Sequence, residues 1–139
     1  MEKDYSQFSI KVYQHWELFL HEHQSPYIGR CYAWARREDA ERTSDMTWEE
    51  RDELFAHVIP EFEWAVLKLF QHDWLNVASF GNTTPHLHWH LIPRYREVKE
   101  VYGIQFIDPN PKGNYAPYPK RELPLQVLLD IKDKIKSKL

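Results

Sequence analysis

The stretch Thr84-Pro85-His86-Leu87-His88-Trp89-His90-Leu91-Ile92-Pro93-Arg94 constrains the fold of this chain more than any other. Histidines take alternate positions and large apolar residues fill the places between them. Successive side chains of a strand point to opposite faces. The spacing therefore predicts His86, His88 and His90 on one face, with Leu87, Trp89 and Leu91 on the other, turned into a core. The two prolines suit the ends of such a strand. A half-buried strand with a solvent-facing histidine surface is the plainer alternative, although other polar residues would solvate that face equally well.

The rest of the chain supplies a framework around this strand. Residues 1–7 are polar and expected to be loosely held. Phe8 to Val12 and Trp16 to Leu20 alternate with period two and read as strands. Gly29 opens a third, in which Cys31, Ala33 and Ala35 form a small-residue face suited to packing against a helix. Arg30, Tyr32, Trp34 and Arg36 line its other face, which either meets solvent or meets a ligand. Thr47-Trp48-Glu49-Glu50 is a capping box. The apolar positions Leu54, Phe55, Val58, Phe62, Ala65, Val66 and Leu69 continue it as one long amphipathic helix from about 47 to about 71. Pro60 inside that run predicts a kink or two helices in sequence.

Leu75 to Phe80 reads as a strand leading through Gly81-Asn82-Thr83-Thr84 into the histidine strand, an antiparallel hairpin with a short loop. The Pro-, Gly- and Asn-rich run from Asp108 to Pro119 excludes regular structure. Pro124 at a first helical turn, followed by Leu125, Leu128, Leu129 and Ile135 with lysines towards the end, marks a C-terminal helix. The expectation is an α+β fold: a mainly antiparallel sheet of about five strands, one long helix and a C-terminal helix, in a single domain spanning residues 1–139.

Composition narrows the function. A net charge of −3, with both signs spread along the chain, gives no surface for nucleic acid or membrane. Cys31 is the only cysteine, which rules out an internal disulfide or a cysteine-based zinc module. With no bilayer-length apolar run and no signal-peptide pattern, a cytoplasmic location is expected. The high aromatic content, 15%, points to a core with few small fillers or to an aromatic-lined pocket.

Three histidines on one face can bind metal or attack phosphorus. Neighbours at i and i+2 lie roughly 6.5–7 Å apart along a strand, so two can share a zinc but three converge poorly. A metal site would need a further ligand such as His21, His23 or an acidic residue, and none is assigned. A neutral imidazole is itself a competent nucleophile, with an ordinary pKa of about 6.5. A flanking histidine can then donate to a phosphate oxygen or protonate a leaving group. The Gly81-Asn82-Thr83 turn offers backbone amides, a carboxamide and a hydroxyl to an anion, although Gly-Asn is also a common turn pair.

His86-Leu87-His88-Trp89-His90-Leu91-Ile92 resembles the histidine triad (HIT) pattern, His-φ-His-φ-His-φ-φ with φ apolar, at every position. Pro93-Arg94 is similar to the continuation seen in many members. The Gly29 strand, the Thr47 helix start, Asn76 and the Gly81 turn precede the triad in family order, so the resemblance spans roughly residues 8–95. It implies a nucleotide hydrolase or transferase acting at the α-phosphate of a dinucleoside polyphosphate or nucleoside phosphoramidate. His88 would be the nucleophile that becomes nucleotidylated, with His90 on the transferred phosphate and His86 positioning His88. Asn82, Thr83, Gly81 and Asn76 would bind substrate.

The resemblance also implies no required cofactor, apart from a divalent cation accompanying a polyphosphate, and a homodimer. Two departures stand out. Asn82 is one methylene shorter than the usual Gln. Arg30 follows Gly29 where several members have Gly-His, a permanent cation that either attracts a longer polyphosphate or makes a surface ion pair. With His90 at the third triad position, one cysteine and a short chain, a Hint-like or Fhit-like hydrolase is the branch most resembled. A nucleotide- or partner-binding protein with little turnover is the alternative, and a His-metal hydrolase comes third.

Overall fold

The computed structural model describes residues 4–139. Of the polar N-terminal stretch, residues 1–3 lie outside the described residues. The remainder is ordered into a 3-10 turn, Tyr5–Phe8, capped by the Asp4 carboxylate accepting from the Ser6 N–H.

Strands β1 (Ser9–Val12), β2 (Trp16–Leu20) and β3 (Cys31–Ala35) follow as an antiparallel meander. The chain then crosses the sheet through a helical run. Strands β4 (Trp74–Ala78) and β5 (His88–Arg94) complete a five-stranded antiparallel sheet in the order β1-β2-β3-β5-β4. Period-two alternation fixes which face is covered. Trp16, Leu18 and Leu20 of β2, Cys31, Ala33 and Ala35 of β3, and Leu91 of β5 are all buried. They share one core cluster with Val58, Phe62 and Val66, so the small-residue face of β3 does sit beneath a helix.

That helix comprises α1 (Trp48–Glu53), a π-turn at Leu54–Val58, and α2 (Ile59–Phe70). Its start is the expected box: the Glu50 N–H donates to Thr47 Oγ1 at 3.1 Å, and Thr47 N–H donates to Glu50 Oε1 at 2.8 Å. Pro60 breaks nothing, because the turn before it is widened. The Ile59 N–H reaches back five residues to the Leu54 carbonyl, and the missing Pro60 donor falls where the helical ladder has already shifted. Gly29, at φ +92°, lets the chain enter β3 directly against this helix; a Cβ there would meet Val66 Cγ1 at 3.1 Å.

The structure departs from the sequence expectation at the histidine strand itself. Strand β5 begins at His88, and residues 79–87 form a longer loop than the short hairpin turn expected. Pro85 cannot donate to a ladder, and the His86 N–H turns back to the Thr84 carbonyl at 2.9 Å. Pro93 lies within β5, paired with Leu75 of β4, at a level beyond the last β3 pairing at Cys31–Leu91.

A two-stranded hairpin, β6 (Lys99–Val101) and β7 (Ile104–Phe106), was not anticipated. It turns on Tyr102 and Gly103, both at positive φ. Residues 108–119 are irregular, as expected. Helix α3 (Leu125–Lys136) starts just after Pro124 and buries Leu128, Ile131 and Ile135, while Leu125 is half exposed. Among the described residues, no helix is long and apolar enough to cross a membrane.

Candidate active site

The face of the sheet opposite the helices carries the histidines. Cross-strand register places Tyr32 beside His90 and Trp34 beside His88, with Phe19 beside Tyr32 and Ala78 on the far side of His90. His86 precedes the strand yet reaches the same side. Its ring stacks on the Trp34 indole, with centroids 4.1 Å apart and planes inclined by 16°. The His88 and His90 rings meet edge to face at 5.0 Å.

Backbone carbonyls fix the proton positions on two of these rings. A carbonyl oxygen only accepts, so the His88 Nδ1–H donates to the His86 carbonyl at 2.6 Å. In the neutral ring this leaves the Nε2 lone pair of His88 bare. The same reasoning puts the proton of His86 on Nε2, which donates to the Ala35 carbonyl at 2.6 Å. His90 has no such tether: its Nδ1 is buried without a partner. Burial first, then the Arg30 and His88 charges, pull its pKa down to about 4, so it is neutral at physiological pH.

His21, just past β2, stands 5.9 Å from His90. Its Nδ1 accepts the His23 N–H at 3.0 Å, which puts the proton of the neutral ring on Nε2. Burial, then Arg30 and the neighbouring imidazoles, hold its pKa at about 2. A cavity of about 370 Å³ opens over these groups. Its lining includes Phe19, His21, Tyr32 and Trp34, together with Thr84, His88 and His90. Glu22 and Tyr5 stand among its lining residues, and among the described residues no Lys or Arg does.

The other candidate residues are distributed differently. Gly81, at φ +86°, makes the turn, but Asn82 and Thr83 are exposed and the loop residue that lines the cavity is Thr84. Asn76 lies farther along the same sheet face, where its Oδ1 accepts from Arg94 Nη1 at 2.8 Å. Arg30 makes no surface ion pair. It is 3% exposed, and its Nη1 donates to the Tyr118 hydroxyl at 2.8 Å while the guanidinium lies over the Tyr115 and Tyr118 rings. It sits behind His21 and His90 rather than in the cavity wall.

Arg94 organises that region. It forms a two-pronged pair with Asp108, Nε to Oδ2 at 2.7 Å and Nη2 to Oδ1 at 3.1 Å, and also donates to the Asn110 and Gly113 carbonyls. The irregular segment is thereby fastened over the sheet face, bringing Tyr115 to Phe80 and to the Tyr27 hydroxyl, which donates to the Tyr115 carbonyl. Among the described residues, no group of three or more His, Cys, Asp or Glu side chains is arranged to hold a metal ion.

Of the residues that shape this site, Tyr32 and Trp34 were legible as the outward face of an alternating strand. Phe19 was legible only as part of its strand, and Tyr115 and Tyr118 gave no signal because their segment has no periodicity.

A family-wide comparison matches residues 9–97 to the HIT domain. The chain belongs to the HIT domain family. Solved HIT proteins share its fold across nearly the whole chain. A histidine triad protein from Marinobacter aquaeolei VT8 is 20% identical with a TM-score of 0.75, covering 94% of this chain and 87% of its own. A hypothetical histidine triad nucleotide-binding protein from Sulfolobus tokodaii is 15% identical with a TM-score of 0.69, covering 94% and 82%. Plasmodium falciparum diadenosine triphosphate hydrolase is 15% identical with a TM-score of 0.63, covering 94% and 75%. Identities this low carry the likeness of fold and no more. No curated protein sequence matches the chain significantly.

Proposed function

We propose that this HIT protein is a nucleotide hydrolase or transferase that cleaves at the α-phosphate through a nucleotidyl-His88 intermediate. The observation that carries the reading is the hydrogen bond from His88 Nδ1–H to the His86 carbonyl, which leaves the Nε2 lone pair as the nucleophile. Attack forms an Nε2–P bond and breaks the bond from phosphorus to the leaving group, which departs with the electron pair and takes up a proton. Water then displaces His88 from phosphorus and restores the neutral ring. His90, neutral and 5.0 Å away, is the proposed contact to the transferred phosphate. His86 positions His88 through its carbonyl. Thr84 joins Gly81, Asn82 and Thr83 as a proposed contact on the loop side, with Asn76 and Arg30 supporting the site from behind.

The substrate class follows from the cavity and the family. Diadenosine triphosphate hydrolysis by the Plasmodium relative supports a Hint-like or Fhit-like branch, and the Sulfolobus relative supports nucleotide binding. Among the described residues no Lys or Arg lines the cavity, and a polyphosphate chain is accordingly expected to bring a divalent cation that neutralises it. A nucleoside phosphoramidate, with one phosphate, would need none, and no other cofactor is proposed. The remaining parts of the proposal are a single HIT-like domain over residues 1–139, a cytoplasmic location and a homodimer.

The test is acid quenching after incubation with adenosine phosphoramidate or a diadenosine polyphosphate, with and without magnesium. The expected result is an adenylyl adduct on His88 and loss of turnover by at least about a thousandfold in His88→Ala. Polyphosphate turnover should depend on magnesium and phosphoramidate turnover should not. A His88→Ala protein as fast as wild type would sink the proposal. Tight nucleoside monophosphate binding with no product would favour the binding-protein alternative.

A further inference from the structure

Trp34 is placed where a single indole covers two members of the triad. It is registered directly opposite His88 across the β3–β5 ladder. Its ring lies flat against His86 at 4.1 Å and close to parallel with His88, at 5.5 Å and 29°. Tyr32, the next outward residue of β3, instead has its ring plane nearly perpendicular to that of His88, at 6.4 Å and 78°. Of the two aromatic neighbours that β3 supplies to His88, therefore, only Trp34 is stacked on its ring.

The electronic consequence concerns charge. As a nucleophile His88 is the neutral tautomer with its proton on Nδ1, held there by the His86 carbonyl. Bonding Nε2 to phosphorus leaves both nitrogens substituted, so the imidazole becomes a cation as the P–N bond forms. The face of an indole attracts a cation more strongly than that of phenol or benzene. No carboxylate is paired with His88 among the described residues. A face-on indole therefore supplies a favourable electrostatic partner to a charge that exists only after attack begins, which is the condition for lowering a barrier rather than tightening ground-state binding.

We infer that Trp34 is a positioning residue for the triad, holding the His86 ring and stabilising with its π-face the positive charge that His88 acquires on nucleotidylation. The inference rests on the reading of His88 as the nucleophile. It also assigns a reason for a bulky, partly exposed indole at a strand position where shape alone would accept many side chains.

The experiment varies the electrons of the indole and leaves its shape alone. Tryptophan, a monofluorinated tryptophan and a trifluorinated tryptophan are introduced site-specifically at position 34, beside Trp34→Leu. Single-turnover adduct formation on His88 is followed by quenching and mass measurement, and adenosine monophosphate affinity is measured in parallel. The rate is expected to fall stepwise with fluorination, by roughly 3- to 30-fold in all, while affinity and melting temperature stay constant. Trp34→Leu should be at least as slow as the trifluorinated protein. A flat fluorine series overturns the inference, as does a fall in affinity that parallels the rate. Adduct formation in wild type with a flat series removes only the role of Trp34. Absence of any adduct in wild type removes the nucleophile assignment and this inference together.

Discussion

His21 and His90 show how strongly position alters one side-chain type. An ordinary histidine titrates near pH 6.5. Burial, reinforced by the neighbouring Arg30 cation, holds His90 at about 4 and His21 at about 2. Between those values and about 6.5 the unfolded chain binds protons that the folded chain refuses, so stability rises with pH through that window. Above about 6.5 neither state binds them and the contribution is complete. The melting temperature should therefore fall between about pH 7 and about pH 5. His21→Gln should fall by less over the same interval. An equal drop in the two proteins, measured by circular dichroism, would contradict this account.

At the scale of elements, a packed sheet face needs something to fix what lies upon it. The inner face of the sheet is covered by helices through apolar contact, whereas the outer face is held by a few polar anchors. Arg94 is the chief of these, with its side chain and that of Asp108 almost wholly buried. Asp108→Asn would leave a buried guanidinium facing a neutral amide, a change costing on the order of 3–5 kcal/mol where such pairs are broken. Urea unfolding should register that loss. Limited proteolysis should cut within residues 108–119 faster than in wild type, since those residues have no ladder of their own. Arg94→Lys should rescue little, because an ammonium cannot reproduce the two-pronged geometry.

The whole molecule leaves a good deal of aromatic surface uncovered. Trp48, Trp64 and Trp74 are 78%, 52% and 70% exposed, and Phe55 is 52% exposed. Strand β4 is an edge of the five-stranded sheet, with unpaired backbone groups along one side. The β4 edge and the exposed Trp74 on that strand support the proposed homodimer, since a second copy would cover both. Light scattering at micromolar concentration should give twice the 16.9 kDa chain mass. A monomeric mass would count against it.

The elements that the sequence determined by itself are those whose signal is local. Alternation marked β1, β2 and β3, and it separated the buried Cys31, Ala33 and Ala35 from the outward Tyr32 and Trp34. The capping box marked the start of the long helix, and the triad motif carried the family and the placement of His88 and His90 on one face. Hydrogen bonding and steric preference between near neighbours suffice for each. What tertiary structure decided are matters of distant contact: that Pro60 is absorbed by a π-turn, that β5 starts only at His88, and that Thr84 rather than Thr83 is the loop threonine lining the cavity. Arg30 is the clearest case. Its sequence neighbours suggest a surface cation or a phosphate ligand, but the tyrosines that bury it are brought from residues 115 and 118 by an ion pair between Arg94 and Asp108. No local pattern encodes that, because its free energy comes from residues far apart in the chain meeting on one sheet face.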